Sequence, residues 1–184
     1  MNEILTALTH RRSIRCYQDR PVAQDVLDNL LRVGLMAPSA MNQQPWHISA
    51  VQSKEVITWM EGKIKKGLAL AGDHERAEDP DFHTFYGAPA VLYISGEQSN
   101  RFHVGDCANL VTCLALAAYG LGLSSCYIAS SQVMFSCPEK QEIKEKLGIP
   151  EGYEPLFSLA IGYSQGPVPE PKPRRQDTVT FITR

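Results

Sequence analysis

Residues 37–46 read Ala37-Pro38-Ser39-Ala40-Met41-Asn42-Gln43-Gln44-Pro45-Trp46, a polar turn bounded by two prolines. Pro38 ends the preceding helix, because the residue before a proline is disfavoured in the helical region. Gln44-Pro45-Trp46 then starts an extended strand. The small side chains and amides between the prolines suit contact with a planar polar heterocycle. The alternative is a polar connection between a helix and a strand, with Trp46 packed in the core.

A second polar segment precedes this turn and concentrates positive charge. It reads Arg11-Arg12-Ser13-Ile14-Arg15, and Arg20 follows closely. A guanidinium can donate two parallel hydrogen bonds to phosphate oxygens, so the segment suits a phosphate monoester. Further cations lie near the other end of the chain, at Lys172, Arg174 and Arg175. The alternative is a solvated basic helix end, and the segment alone does not decide between the two.

The composition is that of an ordinary globular protein. The chain has 184 residues, of which 43% are hydrophobic and 21% charged, with a formal net charge of −2 and a pI near 6.2. We expect one domain over residues 1–184, since this length supports one substantial core. The near-neutral charge argues against nucleic-acid and anionic-membrane partners, and the local arginine cluster suits one small anion instead.

The N-terminus and the cysteines bear on the compartment. Met1-Asn2-Glu3 opens with an acid and no signal-peptide core follows, so we expect a cytoplasmic protein. No apolar run approaches the ~20 residues that span a bilayer. The five cysteines form no CxxC pair, which argues against a disulfide framework or a structural zinc site. His74 and His83 lie far apart in an irregular stretch, and we expect no metal there.

The periodicity of apolar residues predicts alternating helices and strands. The predicted helices span residues 2–10, 22–36, 54–70, 104–120 and a segment from the capping box Ser136-x-x-Glu139 to Gly148. The predicted strands span residues 46–51, 90–95, 123–129, 156–163 and 178–182. Residues 71–88 are predicted to be irregular, and alternating prolines over 167–173 predict an extended arm. No glycine-rich phosphate loop follows a strand, so the arginine segment must supply that role.

Taken in order, these segments resemble the nitroreductase family of FMN oxidoreductases. The resemblance covers nearly the whole chain and is carried by Arg11-Arg12-Ser13-x-Arg15-x-Tyr17, the 37–46 turn, Tyr86-Gly87-Ala88-Pro89, Asp106, Gly120-Leu121-Gly122-Leu123 and Lys172-Pro173-Arg174. It implies an α+β fold of three layers, in which helices flank a central mixed β-sheet. It also implies a homodimer whose extended C-terminal arms are exchanged between subunits.

The resemblance implies roles for individual residues in binding FMN. Arg11, Ser13 and Arg174 would hold the phosphate with Arg12 and Lys172 close by, and Arg15 would face the flavin N1–O2 edge. The ring would be covered from the second subunit by Pro38, Ser39, Ala40, Met41 and Asn42. Larger relatives have a Glu-Gly pair where this chain has Ala129-Ser130, which would offer a backbone donor to flavin N5.

The implied activity is ping-pong electron transfer from NADH or NADPH through FMN to a nitroaromatic, quinone or similar flat, electron-poor acceptor. The flavin performs the chemistry, so no side chain serves as nucleophile or general base. Arg15 would stabilise the negative charge of the reduced ring. Two alternatives stay open: an FMN carrier or sensor without efficient turnover, and a specialised dehalogenase or ene-reductase on the same fold.

Overall fold

A computed structural model describes residues 2–175 and 177–183 of the chain. Its α-helices are α1 (Glu3–His10), α2 (Gln24–Gly34), α3 (Lys54–Leu70), α4 (His74–Glu78), α5 (His103–Gly120) and α6 (Lys140–Lys146). Its strands are β1 (Trp46–Val51), β2 (Ala90–Glu97), β3 (Ser124–Ile128) and β4 (Tyr153–Gly162). Two 3-10 segments, Ala40–Asn42 and Ser130–Ser136, complete the regular structure of the described residues.

The four strands form one sheet in the order β1-β2-β4-β3, and every neighbouring pair is antiparallel. β3 is therefore an edge strand. Residues of the arginine segment run beside it, where Ser13 makes a parallel bridge to Ser125. The resemblance predicts a mixed sheet. Among the described residues, the four strands pair only in the antiparallel sense, and the bridge between Ser13 and Ser125 is the one parallel pairing.

The sheet is buried on both faces, which confirms the three-layer α+β architecture. The side chains of β2 alternate between two cores, as the period of a strand requires. Val91 and Tyr93 join one core with residues of α3, α6 and the Ser130–Ser136 segment. Leu92 and Ile94 join the other core with residues of α2 and α5. None of the helices in the described ranges has the length and apolar character needed to cross a membrane.

The predicted capping box at Ser136 is wrong. Ser136 ends a 3-10 segment, and α6 begins only at Lys140 without a side-chain cap. The Glu139 carboxylate does not turn back toward Ser136, because Lys66 of α3 donates a hydrogen bond to it and Lys63 lies 3.6 Å away. A tertiary contact thus outcompetes the local cap. The cap predicted at Ser53 is present, and its hydroxyl accepts the Val56 amide at 3.3 Å.

The strand predicted over residues 178–182 is absent from the described residues 177–183, which belong to no helix or strand. Its apolar side chains are exposed, with Phe181 at 86% and Ile182 at 87% of full accessibility. A strand needs a neighbour to satisfy its backbone groups, and no described residue pairs with this segment. Residues 167–175 form neither helix nor strand and are exposed, as the alternating prolines predict.

Candidate functional site

The arginine segment is fixed along the open edge of β3. The Ile14 amide donates to the Ser125 carbonyl at 3.0 Å, and the Ile14 side chain is buried in the core. Side chains alternate along an extended segment, so Ser13 and Arg15 point away from the face that Ile14 buries. One apolar residue between polar ones therefore anchors the segment and presents its cations outward.

A groove of about 360 Å³ begins where α1 ends. The groove is lined by Arg11 and Arg12, by Tyr119 near the end of α5, and by Ser124 and Ser125 at the start of β3. Val168, from the C-terminal arm, also lines it. Arg12 is turned back, because its guanidinium donates to the carbonyls of Thr9 and Arg11 at 2.7 and 2.8 Å. Such contacts suit a cation at a helix C-terminus. Arg11 is therefore the cation better placed to meet an anion in this groove.

Arg15 lies at the centre of a second group of side chains. Its guanidinium carbon is 5.9 Å from the centroid of the Tyr86 ring. The neighbouring Tyr86 phenol raises the pKa of Arg15, which therefore stays positively charged. Cys126 of β3 and Tyr17 belong to the same group, and burial raises the pKa of both, so both stay neutral. Arg15 is the charge that this group offers to a ligand.

The end of β3 is shaped by two buried serine hydroxyls. Ser131 and Ser158 lie 2.8 Å apart, and their hydroxyls donate to the Ile128 carbonyl at 3.3 and 3.2 Å. They fix the point where the chain leaves the sheet. The next residues, Ala129 and Ser130, are exposed and line a shallow cavity of about 440 Å³. The structure thus places them at the same sheet edge as the arginine segment.

The proline-bounded turn is held in an unusual conformation. Met41, Asn42 and Gln44 have φ angles of 53°, 55° and 48°, in the left-handed region. Non-glycine residues rarely adopt this region, and such strain clusters at functional sites. The Ser39 hydroxyl accepts the Gln44 amide at 3.0 Å and supports the turn. Met41 and Asn42 remain exposed and available to another molecule.

Within one chain, the turn and the arginine segment do not meet. The turn contacts Asp106 near the start of α5, and the groove at Arg11 is lined by Tyr119 near its end. Asp106 and Tyr119 are separated by thirteen helical steps, which span roughly 20 Å at ~1.5 Å per residue. A ligand phosphate at Arg11 therefore lies about one helix length from the turn of the same chain.

The C-terminal cations are not brought to the arginine segment. Lys172 and Arg174 are exposed, and neither makes a hydrogen bond or ion pair within the described part of the chain. Arg175 is paired with Asp177 at 2.8 Å. Of the arm residues that the structure describes, only Val168 lines the groove at Arg11. The two-ended phosphate site expected from the sequence remains a prediction.

The contact between Tyr86 and Arg15, and the turn over residues 83–88 that produces it, were not predicted from the sequence. Glu61 of α3 accepts the Phe85 amide at 3.1 Å and lies 3.0 Å from the His83 imidazole. Tyr86 has a φ of 57° and Gly87 a φ of 73°. The turn formed by residues 83–88 brings Tyr86 to Arg15. Its residues His83, Gly87 and Ala88 help to line a cavity of about 470 Å³. The Tyr-Gly pair before the strand was the available signal, because glycine tolerates a left-handed backbone.

The arginine segment fits the shape and charge of FMN. Arg11 and Arg15 are separated by about 13 Å along an extended chain at ~3.3 Å per residue. One cation can thus meet a phosphate while the other meets the ring at the far end of the ribityl chain. Ser13 lies between them with a hydroxyl that hydrogen-bonds readily. The donor set is cationic and hydroxylic, as an oxyanion with a polar linker requires.

Comparisons with known proteins point the same way as this geometry. The Nitroreductase family model matches residues 8–163. A nitroreductase with bound FMN from Bacteroides fragilis is 30% identical, with a TM-score of 0.92 over 99% of this chain and 100% of that one. A nitroreductase with bound FMN from Desulfitobacterium hafniense is 28% identical, with a TM-score of 0.89 over 99% of both chains. A Bacillus subtilis protein named FMN reductase (NAD(P)H) is 31% identical over 89% of this chain and 66% of its own length.

Proposed function

This chain belongs to the nitroreductase family, and we propose that it is an FMN-dependent oxidoreductase. It takes electrons from NADH or NADPH and delivers them to flat, electron-poor acceptors such as nitroaromatics or quinones. The observation that carries the proposal is the arginine segment, which is fixed along the edge of β3 with Arg11 at one end and Arg15 at the other. It is supported by the two FMN-bound nitroreductases that share the fold, and by the reductase named for FMN and NAD(P)H.

Different residues of the arginine segment would contact different parts of the cofactor. Arg11 and Ser13 would bind the phosphate, with Arg12 beside them and with Lys172 and Arg174 supplied by an arm. Arg15 would bind the N1–O2 edge of the ring, where a cation stabilises the charge of the reduced form. Ala129 and Ser130, at the same sheet edge, would offer a backbone donor to N5. When bound, FMN supplies the hydride and electron transfer itself.

We propose further that the site is completed by a second copy of the chain. α1 exposes Ile4, Leu5 and Leu8, and the exposed face of α5 carries Val104 and Tyr119. Between His103 and Gly120 the only acid, lysine or arginine is Asp106, which is buried. Uncharged apolar surface of this kind marks protein interfaces. Pro38–Asn42 of one copy would then cover the flavin ring held by the arginine segment of the other.

Spectroscopy of the purified protein tests the proposal. We expect a yellow protein with FMN absorbance that bleaches under anaerobic addition of NADH or NADPH and recovers when a quinone or nitroaromatic is added. A colourless protein that does not bind added FMN would contradict flavin binding. Bound FMN that neither nucleotide reduces would contradict the oxidoreductase. Size-exclusion chromatography with light scattering would show a dimer of about twice 20.4 kDa.

A further inference from the structure

Tyr86 adopts a backbone conformation that its own side chain disfavours. Its φ of 57° lies in the left-handed region, where the Cβ atom of an L-residue crowds the following carbonyl. The other described non-glycine residues in this region are Met41, Asn42 and Gln44, all in the proline-bounded turn. Left-handed aromatic residues persist only where surrounding contacts enforce them. Two sets of contacts do so at Tyr86.

The first set is a clamp from α3. Each oxygen of the Glu61 carboxylate has a partner in the turn, with Phe85 N–H donating to Oε1 at 3.1 Å and His83 Nδ1 lying 3.0 Å from Oε2. The Glu61 side chain is only 15% exposed and the His83 side chain is 58% exposed, so the bond to the Phe85 amide is the better shielded of the two. Below the turn, the Phe85 ring is fully buried in the core. The clamp and the buried ring hold the residue before Tyr86 in place.

The second set lies within the turn itself. The Tyr86 amide donates to the His83 carbonyl at 3.1 Å, and the Ala88 amide donates to the Phe85 carbonyl at 3.0 Å. Two overlapping tight turns therefore enclose Tyr86. Gly87, also left-handed, lets the chain continue directly into β2. The Tyr86 side chain packs against the core, and its ring lies beside the Arg15 guanidinium.

The contact with Arg15 has a chemistry suited to an arginine that must serve a ligand. Arg15 has no carboxylate within ion-pair distance among the described residues, and its guanidinium carbon lies 5.9 Å from the centroid of the Tyr86 ring. A carboxylate would hold the guanidinium more tightly but would cancel its charge. A phenol oxygen accepts one hydrogen bond and leaves the full positive charge for a ligand. The remaining guanidinium N–H groups stay available to donate.

We propose that Tyr86 is a positioning residue, which holds the Arg15 guanidinium against the N1–O2 edge of FMN, and that Glu61 in turn holds Tyr86. This inference rests on the proposed function. It assigns part of the control of the flavin potential to a side chain on the loop before β2. The loop and Arg15 are distant in sequence and meet only in the folded chain.

The variant Tyr86→Phe tests the proposal, because it keeps the ring and removes the hydrogen-bond acceptor. We expect the FMN-loaded variant to have a lower flavin midpoint potential and roughly two- to ten-fold slower anaerobic reduction by NAD(P)H, the range that corresponds to one lost hydrogen bond. FMN affinity should change less than the rate. Glu61→Gln should move the potential in the same direction by a smaller amount, since the amide keeps the shape of the carboxylate.

Tyr163→Phe is the matched control. Tyr163 also lies under an arginine, with the Arg20 guanidinium 3.9 Å from its ring centroid, so its cationic neighbour is Arg20 and not Arg15. The control should keep the potential and reduction rate of the unmodified protein. A double-mutant cycle with Arg15→Ala completes the design, because Tyr86→Phe should have no further effect on the potential once Arg15 is removed.

The possible results separate this inference from the proposed function. An unmodified protein without bound, reducible FMN would overturn both. A reducible flavin whose potential is the same in Tyr86→Phe as in the unmodified protein would overturn the positioning role alone. An effect of Tyr86→Phe that persists at full size in the Arg15→Ala background would also overturn it. If Tyr86→Phe does not fold, Glu61→Gln and the same cycle with Arg15→Ala decide the question.

Discussion

Both carboxylate oxygens of Asp106 accept the backbone N–H of Ala40, at distances of 3.2 and 3.1 Å. Asp106 lies in the first turn of α5, is only 6% exposed, and complements the positive end of the helix. One carboxylate thus binds the strained turn to the longest helix of the fold. α2 ends at Gly34, four residues before Pro38, and the Asp106 carboxylate fixes where the following turn lies.

Replacing Asp106 by asparagine should loosen the turn and lower stability. A hydrogen bond to a charged group contributes roughly 1.5–3 kcal/mol and one to a neutral group about 0.5–1.5 kcal/mol, so we expect a loss of about 1 kcal/mol because the amide oxygen can still accept. Urea unfolding at fixed protein concentration measures it, because the apparent stability of a dimer depends on concentration. FMN affinity should fall in the same variant if the turn covers the ring of a second subunit.

Asp28→Asn on α2 provides the control for Asp106→Asn. Asp28 is exposed and accepts a hydrogen bond from Gln24 one helical turn away. Surface changes of this kind usually alter stability by less than about 0.5 kcal/mol. Equal stability of the Asp106 and Asp28 variants would show that the Ala40 contact does not hold the turn.

Two glycines of α3 should respond to alanine in opposite ways. A Cβ at Gly67 would lie 2.2 Å from the Val133 carbonyl oxygen, a backbone atom that cannot move aside. We expect Gly67→Ala to destabilise the protein by about 1–3 kcal/mol, the usual cost of overpacking. A Cβ at Gly62 would meet open space. Gly62→Ala should therefore stabilise the protein by up to ~1 kcal/mol through helix propensity.

The consequence of Gly67→Ala should extend to the site. Val133 lies in the Ser130–Ser136 segment, which begins at the residues expected near flavin N5. Thermal unfolding of both glycine variants, followed by FMN titration, checks the pair. A Gly67 variant as stable as the Gly62 variant would mean that α3 does not approach this segment as closely as described.

Sequence patterns were sufficient where structure depends on neighbours along the chain. The apolar period and the Ser53 cap predicted α3 at Lys54–Leu70, the bounds that are observed. The layered α+β fold followed from the resemblance and is confirmed.

Sequence patterns were insufficient where structure depends on distant partners. The turn before β2 is shaped by Glu61, 24 residues before Phe85 in the chain. Glu139 was predicted to close a capping box, but lysines of α3 bind its carboxylate instead. Residues 178–182 have the composition of a strand, yet no edge within the described chain pairs with them. None of these partners is visible in a local window of sequence.

The cluster around Glu139 predicts a pH dependence of stability. Hydrogen bonding by Lys66, assisted by Lys63, lowers the pKa of Glu139 to about 2 from its ordinary 4.5. A carboxylate whose pKa is lower in the folded protein stabilises it above the unfolded value, and loses this effect as the pH falls toward the folded value. Lys66→Met should therefore be less stable than the unmodified protein at pH 7, and the difference should shrink between pH 4.5 and 2.

Lys65→Met is the matched control for this pH series. The Lys65 ammonium donates to the Asp79 backbone carbonyl, which does not titrate. Its effect on the urea midpoint should be the same at pH 7 and pH 3. If the Lys66 variant also shows a constant difference across this range, the ion pair with Glu139 does not contribute to the acid sensitivity of the fold.

The phosphate role of the arginine segment can be tested apart from the redox chemistry. We expect Arg11→Ala to weaken FMN binding by roughly 10- to 150-fold, since a charge-assisted hydrogen bond contributes about 1.5–3 kcal/mol. Arg174→Ala should weaken it to a similar extent if the arm supplies the second cation. Arg32→Ala is the control, because Arg32 is exposed on α2 and donates to Asn29 at 2.6 Å. Riboflavin, which lacks the phosphate, should bind the Arg11 variant and the unmodified protein with similar affinity. Equal losses of FMN and riboflavin affinity would place Arg11 away from the phosphate.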